Sequence, residues 1–355
     1  MIAYKKSGVD LHLGDVCSQI MSSAADKTFA NRKGTSAPIR VLEKRGLHRI
    51  ITVSAGGLKL MLNSDGIGTK SEFSERTGRH GTMAYDLFAM LCDDAVRFGA
   101  EPVALSNVLD VNTLDRKTVQ DLAGGMVKAA AEAGVAVVSG EIAELGTRVG
   151  GHGRHNYNWG GTVLSIVRKD LGGRGLTVVS SIVGLEEKGF RSNGISLVRK
   201  IMEKAYGPDW HRRKKGGRTL GDLALTPSKI YTRAALKMFP HAQGIAHITG
   251  GGIPGKLGRI LAIRKYGADI TDPFPPCGMM LLCQKLGGVH DAEAYRAWNM
   301  GQGMLIITSR PEKIVSIAAR FKIRAKVVGT ITARPGLKIA SRGFLSPGKT
   351  LFFGI

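Results

Sequence analysis

The chain has 355 residues, 43% of them hydrophobic and 22% charged. That is long enough for two domains and too apolar for a disordered chain. The formal charge of +23, from 51 Lys and Arg against 28 Asp and Glu, favours polyanions such as nucleotides or RNA without choosing among them.

No apolar run approaches the ~20 residues needed to span a bilayer, and "MIAYKKSGVDLHLGD" lacks a signal-peptide core, which predicts a cytoplasmic protein with no membrane partner. Cys17, Cys92, Cys277 and Cys283 make no CxxC spacing and are expected as buried free thiols.

In chain order, "RIITVSA" (49–55), "LKLMLN" (58–63), "VALSNVLDV" (103–111), "VAVVSG" (135–140) and "GGTVLSIV" (160–167) are short, apolar and β-branched, the pattern of strands in a mixed sheet. Residues 81–100 and 115–134 between them have helical periodicity and end near glycine. After "IVRKDLGGRG" (166–175) the alternation restarts, and a domain boundary is expected near residue 170. Strands are predicted at "LTVVSSIVG" (176–184), "GIAHITG" (244–250), "GMLIIT" (303–308) and "AKVVGTI" (325–331), and helices at 194–206, 227–239 and 253–263. The basic cluster "HRRKKGGR" (211–218) carries no interleaved aromatics and reads as a solvated loop, with a nucleic-acid patch as the minority reading.

In the helix over 82–98, Leu87, Leu91, Asp94 and Phe98 share one stripe, which sets a carboxylate in line with core residues. A buried ionised carboxylate needs a partner, a hydrogen bond or a cation. Asp86 and Asp93 fall on a different face and are expected to be solvated.

A second acid, Asp65, lies in "SDGIGTK" (64–70). Taken alone this is a turn signal, but its glycines would also let a ligand approach the backbone, with Lys70 on the phosphate side. It is not a Walker A loop. A third acid, Glu141, follows "VAVVSG" directly after Gly140. Three acids beside glycines fit a Mg²⁺ and phosphate site.

In "GFRSNGISLVRKI" (189–201), Ser192 or Asn193 can cap a helix whose free N–H groups suit a phosphate, with Arg191 beside them. "HITGGGIPGKLGRIL" (247–261) repeats the device with Gly250, Gly251, Gly252 and Pro254. The histidines, His155 and His247 among them, show no metal-ligand spacing.

These blocks, with "YKKSGVD" (4–10), "VVSGEIAE" (137–144), "LTPSKIY" (225–231) and "YRAWNMGQGMLI" (295–306), resemble the aminoimidazole ribonucleotide synthetase (phosphoribosylformylglycinamidine cyclo-ligase) family of the PurM-like ATP-dependent superfamily. They occur in family order over nearly the whole chain, and the pattern D-x4-GA-x-P, Asp94 to Pro102, is the most specific.

The resemblance implies an α/β (α+β) two-domain architecture: an ATP-binding domain over 1–170 that pairs in a homodimer, and a substrate-side domain over 171–355. It implies ATP and Mg²⁺ as cofactors and a small ribonucleotide as substrate. ATP would phosphorylate the formyl oxygen of formylglycinamidine ribonucleotide, and a substrate nitrogen would displace phosphate as the imidazole ring closes.

Carried over residue by residue, Asp65, Asp94 and Glu141 would hold the metal, and Asp65, Asp94 and Arg191 would serve catalysis. Gly66, Gly68, Thr69, Lys70, Gly140, Ser192, Asn193, Gly194, Thr249, Gly250 and Gly251 would line the nucleotide and substrate cleft.

Three departures stand out. Arg191 replaces the family's histidine before Ser-Asn-Gly and cannot act as a base near neutral pH. "KGTSAPIRVLEKRG" (33–46) is poor in glycine, and Leu145-Gly146-Thr147 replaces Met-Pro-Gly. Two alternatives therefore stay open: a related ATP-dependent kinase or ligase on another small molecule, and a non-catalytic RNA- or nucleotide-binding protein.

Overall fold

The structure, a computed structural model, describes residues 29–33, 39–45, 48–53 and 58–355. The block at 4–10, Cys17, and the parts of 33–46 and 49–55 that fall in the gaps lie outside the described residues.

A six-stranded sheet is built from β1 (Ile39–Arg45), β2 (His48–Val53), β3 (Lys59–Gly66), β4 (Ala100–Val111), β5 (Ala136–Glu144) and β6 (Tyr157–Val167), in the order β1-β2-β3-β6-β4-β5. Only β4 and β5 run parallel. Helix α1 (Ser71–Thr77) follows β3, while α2 (Met83–Val96) and α3 (Arg116–Ala133) form the helical layer on one face.

Alternation along β3 sets which side chains meet that layer. Met61 and Asn63 are buried, and Asn63 Nδ2 donates to the Leu91 carbonyl oxygen of α2 at 3.0 Å. Leu62 points away and is half-exposed. Helix α3 is delimited as its sequence suggests: Asp115 caps the start by accepting from the Thr118 amide, and Gly134 ends it at φ 75°.

The second sheet has seven strands: β7 (Ser181–Glu186), β10 (Gly244–His247), β11 (Gly267–Ile270), β12 (Gln302–Thr308), β13 (Ala325–Thr332), β14 (Gly336–Ala340) and β15 (Thr350–Phe353), in the order β10-β12-β7-β13-β11-β14-β15. Every residue of β12 is buried, and its centre, Met304 to Ile307, reads as an unbroken apolar run. Met304 and Ile306 pack in one core with Val183, Leu185, α6 (Thr232–Met238) and α10 (Pro311–Arg320). Leu305 and Ile307 pack in the other, with α4 (Ile195–Tyr206), α7 (Gly252–Ala262), α8 (Gly278–Gly287) and α9 (Asp291–Ala297).

Two elements start later than the sequence predicts. The strand expected from 176 begins at Ser181, and the helix expected from 227 begins at Thr232. In both cases apolar residues ahead of the element are buried in loops, as Leu176 and Ile230 show. The cluster at 211–218 forms a small hairpin, β8 (Lys214–Lys215) and β9 (Arg218–Thr219), leading into α5 (Leu220–Ala224). Its basic side chains are exposed while His211 is buried.

Candidate active site

Helix α2 is buried nearly all round, so a solvated face for Asp86 and Asp93 does not exist; both are sealed from solvent. Each is neutralised by a cation from elsewhere. Lys70 Nζ donates to Asp86 Oδ1 at 2.7 Å and to the Thr226 carbonyl oxygen at 2.8 Å. Arg191 Nη2 donates to Asp93 Oδ2 at 2.9 Å, and Asp93 Oδ1 also accepts from the Tyr231 amide and the Thr232 hydroxyl.

Two expected ligand contacts are corrected by these pairs. Lys70 is fully buried and its ammonium is consumed by Asp86, so it anchors the 64–70 loop instead of facing a phosphate. Arg191, also fully buried, lies beneath the cleft and has no direct access to a substrate.

Asp94 is the acid of α2 that reaches the cleft. Burial pushes its carboxyl up, but Arg97 and His247 outweigh that and hold it well below the usual carboxylate range. Arg97 grips it as a fork, Nε to Oδ1 at 2.8 Å and Nη2 to Oδ2 at 3.0 Å, and His247 Nδ1 lies 3.1 Å from Oδ1. His247 itself is driven down to about 3 by burial and by Arg191, so its ring is neutral.

Asp65 ends β3 on the side facing α2. It is open to solvent yet has protein packed around it, and that crowding together with the Asp94 charge pushes its carboxyl up to about 6. Lys256 of α7 lies close enough to both acids for their charges to be felt, and burial lowers its ammonium.

The glycine loops converge on this pair. The Gly68 α-carbon faces the Ser192 carbonyl oxygen, since a Cβ there would stand 3.8 Å away, and Thr69 Oγ1 is 3.2 Å from Ser196 Oγ. A Cβ on Gly250 would meet Asn193 Oδ1 at 3.3 Å. Thus Asp65, Gly66, Gly68, Thr69, Asp94, Ser192, Asn193 and Gly250 lie in one neighbourhood, with Thr249 and Gly251 flanking Gly250.

The helix starts differ in detail from expectation. Neither Ser192 nor Asn193 caps α4; Gly194, at φ 69°, occupies the cap position without a side-chain bond. Ser192 Oγ approaches Asp86 Oδ1 at 3.5 Å and Asn193 Nδ2 turns toward Met90 Sδ at 3.9 Å. Gly251, at φ 89°, plays the same part for α7.

Glu141 does not join the acids. Residues Asp65, Gly161, Asn107 and Gly140 form one row across β3, β6, β4 and β5. Three strand spacings of ~4.8 Å put Gly140 roughly 14 Å from Asp65, and Glu141 belongs to the next row, beside Val108. Among the described residues no three His, Cys, Asp or Glu side chains are grouped to hold a metal ion.

A cavity of about 780 Å³, within the ~300–1,000 Å³ typical of small-molecule sites, opens against the same loop. It is lined by Gly68 and Thr69 and by Arg76, Arg148, His152 and Arg199.

Sequence reasoning missed Arg97, His247 and Lys256. Arg97, at three residues after Asp94, carried a readable helix-pair signal; His247 and Lys256 come from distant segments and carried none.

Comparison with known proteins adds the following. The family model described as AIR synthase related protein, N-terminal domain, matches residues 46–167, and that described as AIR synthase related protein, C-terminal domain, matches 180–341. The phosphoribosylformylglycinamidine cyclo-ligase of Methanocaldococcus jannaschii is 33% identical over 341 residues, covering 93% of this chain and 92% of that protein. That of Pyrococcus furiosus is 31% identical over 350 residues, covering 97% and 99%. Among solved structures, E. coli HypE superposes with a TM-score of 0.59 at 15% identity, covering 93% of this chain and 96% of that one, a likeness of fold.

Proposed function

Since the chain belongs to the AIR synthase related family, we propose that it is a phosphoribosylformylglycinamidine cyclo-ligase, closing formylglycinamidine ribonucleotide to aminoimidazole ribonucleotide with release of ADP and phosphate. The observation that carries the reading is the Asp65 and Asp94 pair, set at the meeting of the 64–70, 192–196 and 249–252 loops.

The chemistry asks for a formyl oxygen to become a leaving group. Transfer of the γ-phosphoryl group of ATP breaks its bond to ADP and forms a bond to that oxygen; attack by the substrate nitrogen then expels phosphate. Little covalent work falls to the protein, which must align the partners and neutralise charge.

The residues present fit a hard cation. Two crowded carboxylates, one of them pushed up to about 6, are relieved by a divalent ion that takes a few carboxylates and fills its shell with phosphate oxygens and water. Asp65 and Asp94 would hold Mg²⁺, which supplies charge neutralisation on the phosphates. Lys256, in place of Lys70, is the cation on the phosphate side. The backbone N–H groups at Gly68 and at the starts of α4 and α7 offer donors to anionic oxygens.

The face of the first sheet away from the helices favours a homodimer. Leu62, Leu164 and Ala104 lie across it in one row, Val108 follows four residues along β4 on the same face, and Leu62 and Val108 are 52% and 45% exposed. No helix among the described residues is long and apolar enough to cross a membrane. The relatives' action on a soluble purine precursor is the ground on which we place the enzyme in the cytoplasm. The burial of Arg191 removes the main motive for a different small-molecule substrate.

The test is a coupled assay of ADP release. Release that requires formylglycinamidine ribonucleotide and disappears in Asp94→Ala supports the reading; release indifferent to that substrate sinks it.

A further inference from the structure

Arg191 has a left-handed backbone, φ 57°, uncommon for a long side chain. The side chain is fully buried, and its guanidinium meets four acceptors. Nη1 donates to Glu187 Oε2 at 3.0 Å and to the Lys229 carbonyl oxygen at 2.9 Å, and Nη2 donates to Asp93 Oδ2 at 2.9 Å. The fourth acceptor is His247 Nε2, 2.7 Å from Nη2.

That last contact decides the state of the ring. A guanidinium only donates and keeps its charge at any working pH. A neutral imidazole has one N–H and one lone pair. Nε2 must therefore offer the lone pair, and Nδ1 must carry the hydrogen. Nδ1 faces Asp94 Oδ1 at 3.1 Å, so the hydrogen points at the carboxylate that meets the cleft.

We propose that Arg191 is a positioning residue: by fixing His247 as its Nδ1–H tautomer, it makes the ring a permanent donor to Asp94 and sets that carboxylate beside Asp65. A histidine at 191, as in the resembling family, could present either a donor or an acceptor to Nε2, and arginine removes that ambiguity. The effect on ring closure rests on the function proposed above, whereas the tautomer is a property of the unliganded chain.

The experiment is long-range ¹H–¹⁵N correlation on the full chain labelled at histidine, without ligands, with His247 assigned by the signals lost in His247→Gln. The expected spectrum shows a single tautomer, protonated at Nδ1 and bare at Nε2. A proton on Nε2, or exchange between tautomers, overturns the proposal.

Arg191→Lys keeps a donor and should keep the tautomer, while Arg191→Met should release a mixture. An Arg191→Met protein that retains pure Nδ1–H also overturns the proposal. If that variant does not fold, the parent and Arg191→Lys spectra decide.

In turnover, Arg191→Met should lose about 10- to 100-fold in kcat with a smaller change in KM, and Arg191→Lys should recover part of it. A shifted tautomer with unchanged kcat would overturn the positioning role. A parent protein that does not use formylglycinamidine ribonucleotide would sink the functional reading instead, and the spectra would still decide whether Arg191 holds His247.

Discussion

Lys70 Nζ and Asp86 Oδ1 form an ion pair 2.7 Å long with both side chains sealed from solvent. Asp86 Oδ1 also accepts from Ser228 Oγ at 2.5 Å, so the pair ties the 64–70 loop, α2 and the 226–228 segment together. Removing one partner strands the other charge. Lys70→Met should cost about 3–5 kcal/mol, and Lys70→Met with Asp86→Leu should recover most of it, read by urea unfolding. ATP affinity in the double variant should stay within about threefold of the parent, a shift of under ~1 kcal/mol; a much larger loss would return Lys70 to the phosphate side.

Gly252→Ala should be severe. Gly252 has φ 58°, and a Cβ there would stand 1.8 Å from the Tyr295 carbonyl oxygen, so backbone has to move. Left-handed strain and overpacking together predict a loss above ~2 kcal/mol, visible as a lower Tm. A stability within about 0.5 kcal/mol of the parent, the range of harmless surface changes, would contradict the close approach of these segments.

The Asp65 carboxyl, raised from its ordinary 3.8 to about 6, carries a pH signature. The folded chain prefers this group protonated, so its ionisation works against folding as pH rises from about 4 to 6. Asp65→Asn should match the parent at pH 4 and exceed it above pH 6. Because the group is open to solvent, the gain is screened to on the order of 1 kcal/mol. Denaturant midpoints at both pH values measure it, and a variant less stable than the parent at pH 7 would reverse the assigned strain.

Val108→Lys tests the open sheet face. On a chain of +23 charge, a lysine repeated across a twofold contact adds repulsion where apolar surface was to be buried. If the proposed homodimer uses this face, light scattering should show the parent as dimer and the variant as monomer, with turnover per chain reduced; an unchanged mass would move the contact elsewhere.

Much of this architecture was legible in the sequence because short apolar strands and capped helices announce themselves locally. The helix over 82–98, the stripe of Leu87, Leu91, Asp94 and Phe98, and the acid at the end of β3 follow from periodicity, and all four stripe residues are buried. What was not legible is which cation each acid owns. Helix geometry alone puts Asp86 and Asp93 on a face apart from the core stripe, and only the segments of the second half, with Arg191, Ser228 and Tyr231, show that this face is covered. Lys70 and Lys256 are both lysines near a glycine loop, and only the packing shows that the first is spent on Asp86 while the second faces the acid pair. Arg191 stands next to Ser192 and Asn193 in sequence, which suggests the cleft, whereas its side chain is fully buried against Asp93 and Glu187.

The acids of α2 also bear on how the chain is made. Asp86 finds Lys70 among residues synthesised before it, but Asp93 waits 98 residues for Arg191 and Asp94 waits 153 for His247. During synthesis from the N-terminus, the first sheet can assemble early while its central helix still carries Asp93 without the guanidinium that neutralises it. That helix cannot be sealed until the segment bearing Arg191 has left the ribosome. A chain released before residue 191 would keep an uncompensated carboxylate in the core of its first half and leave that core wet.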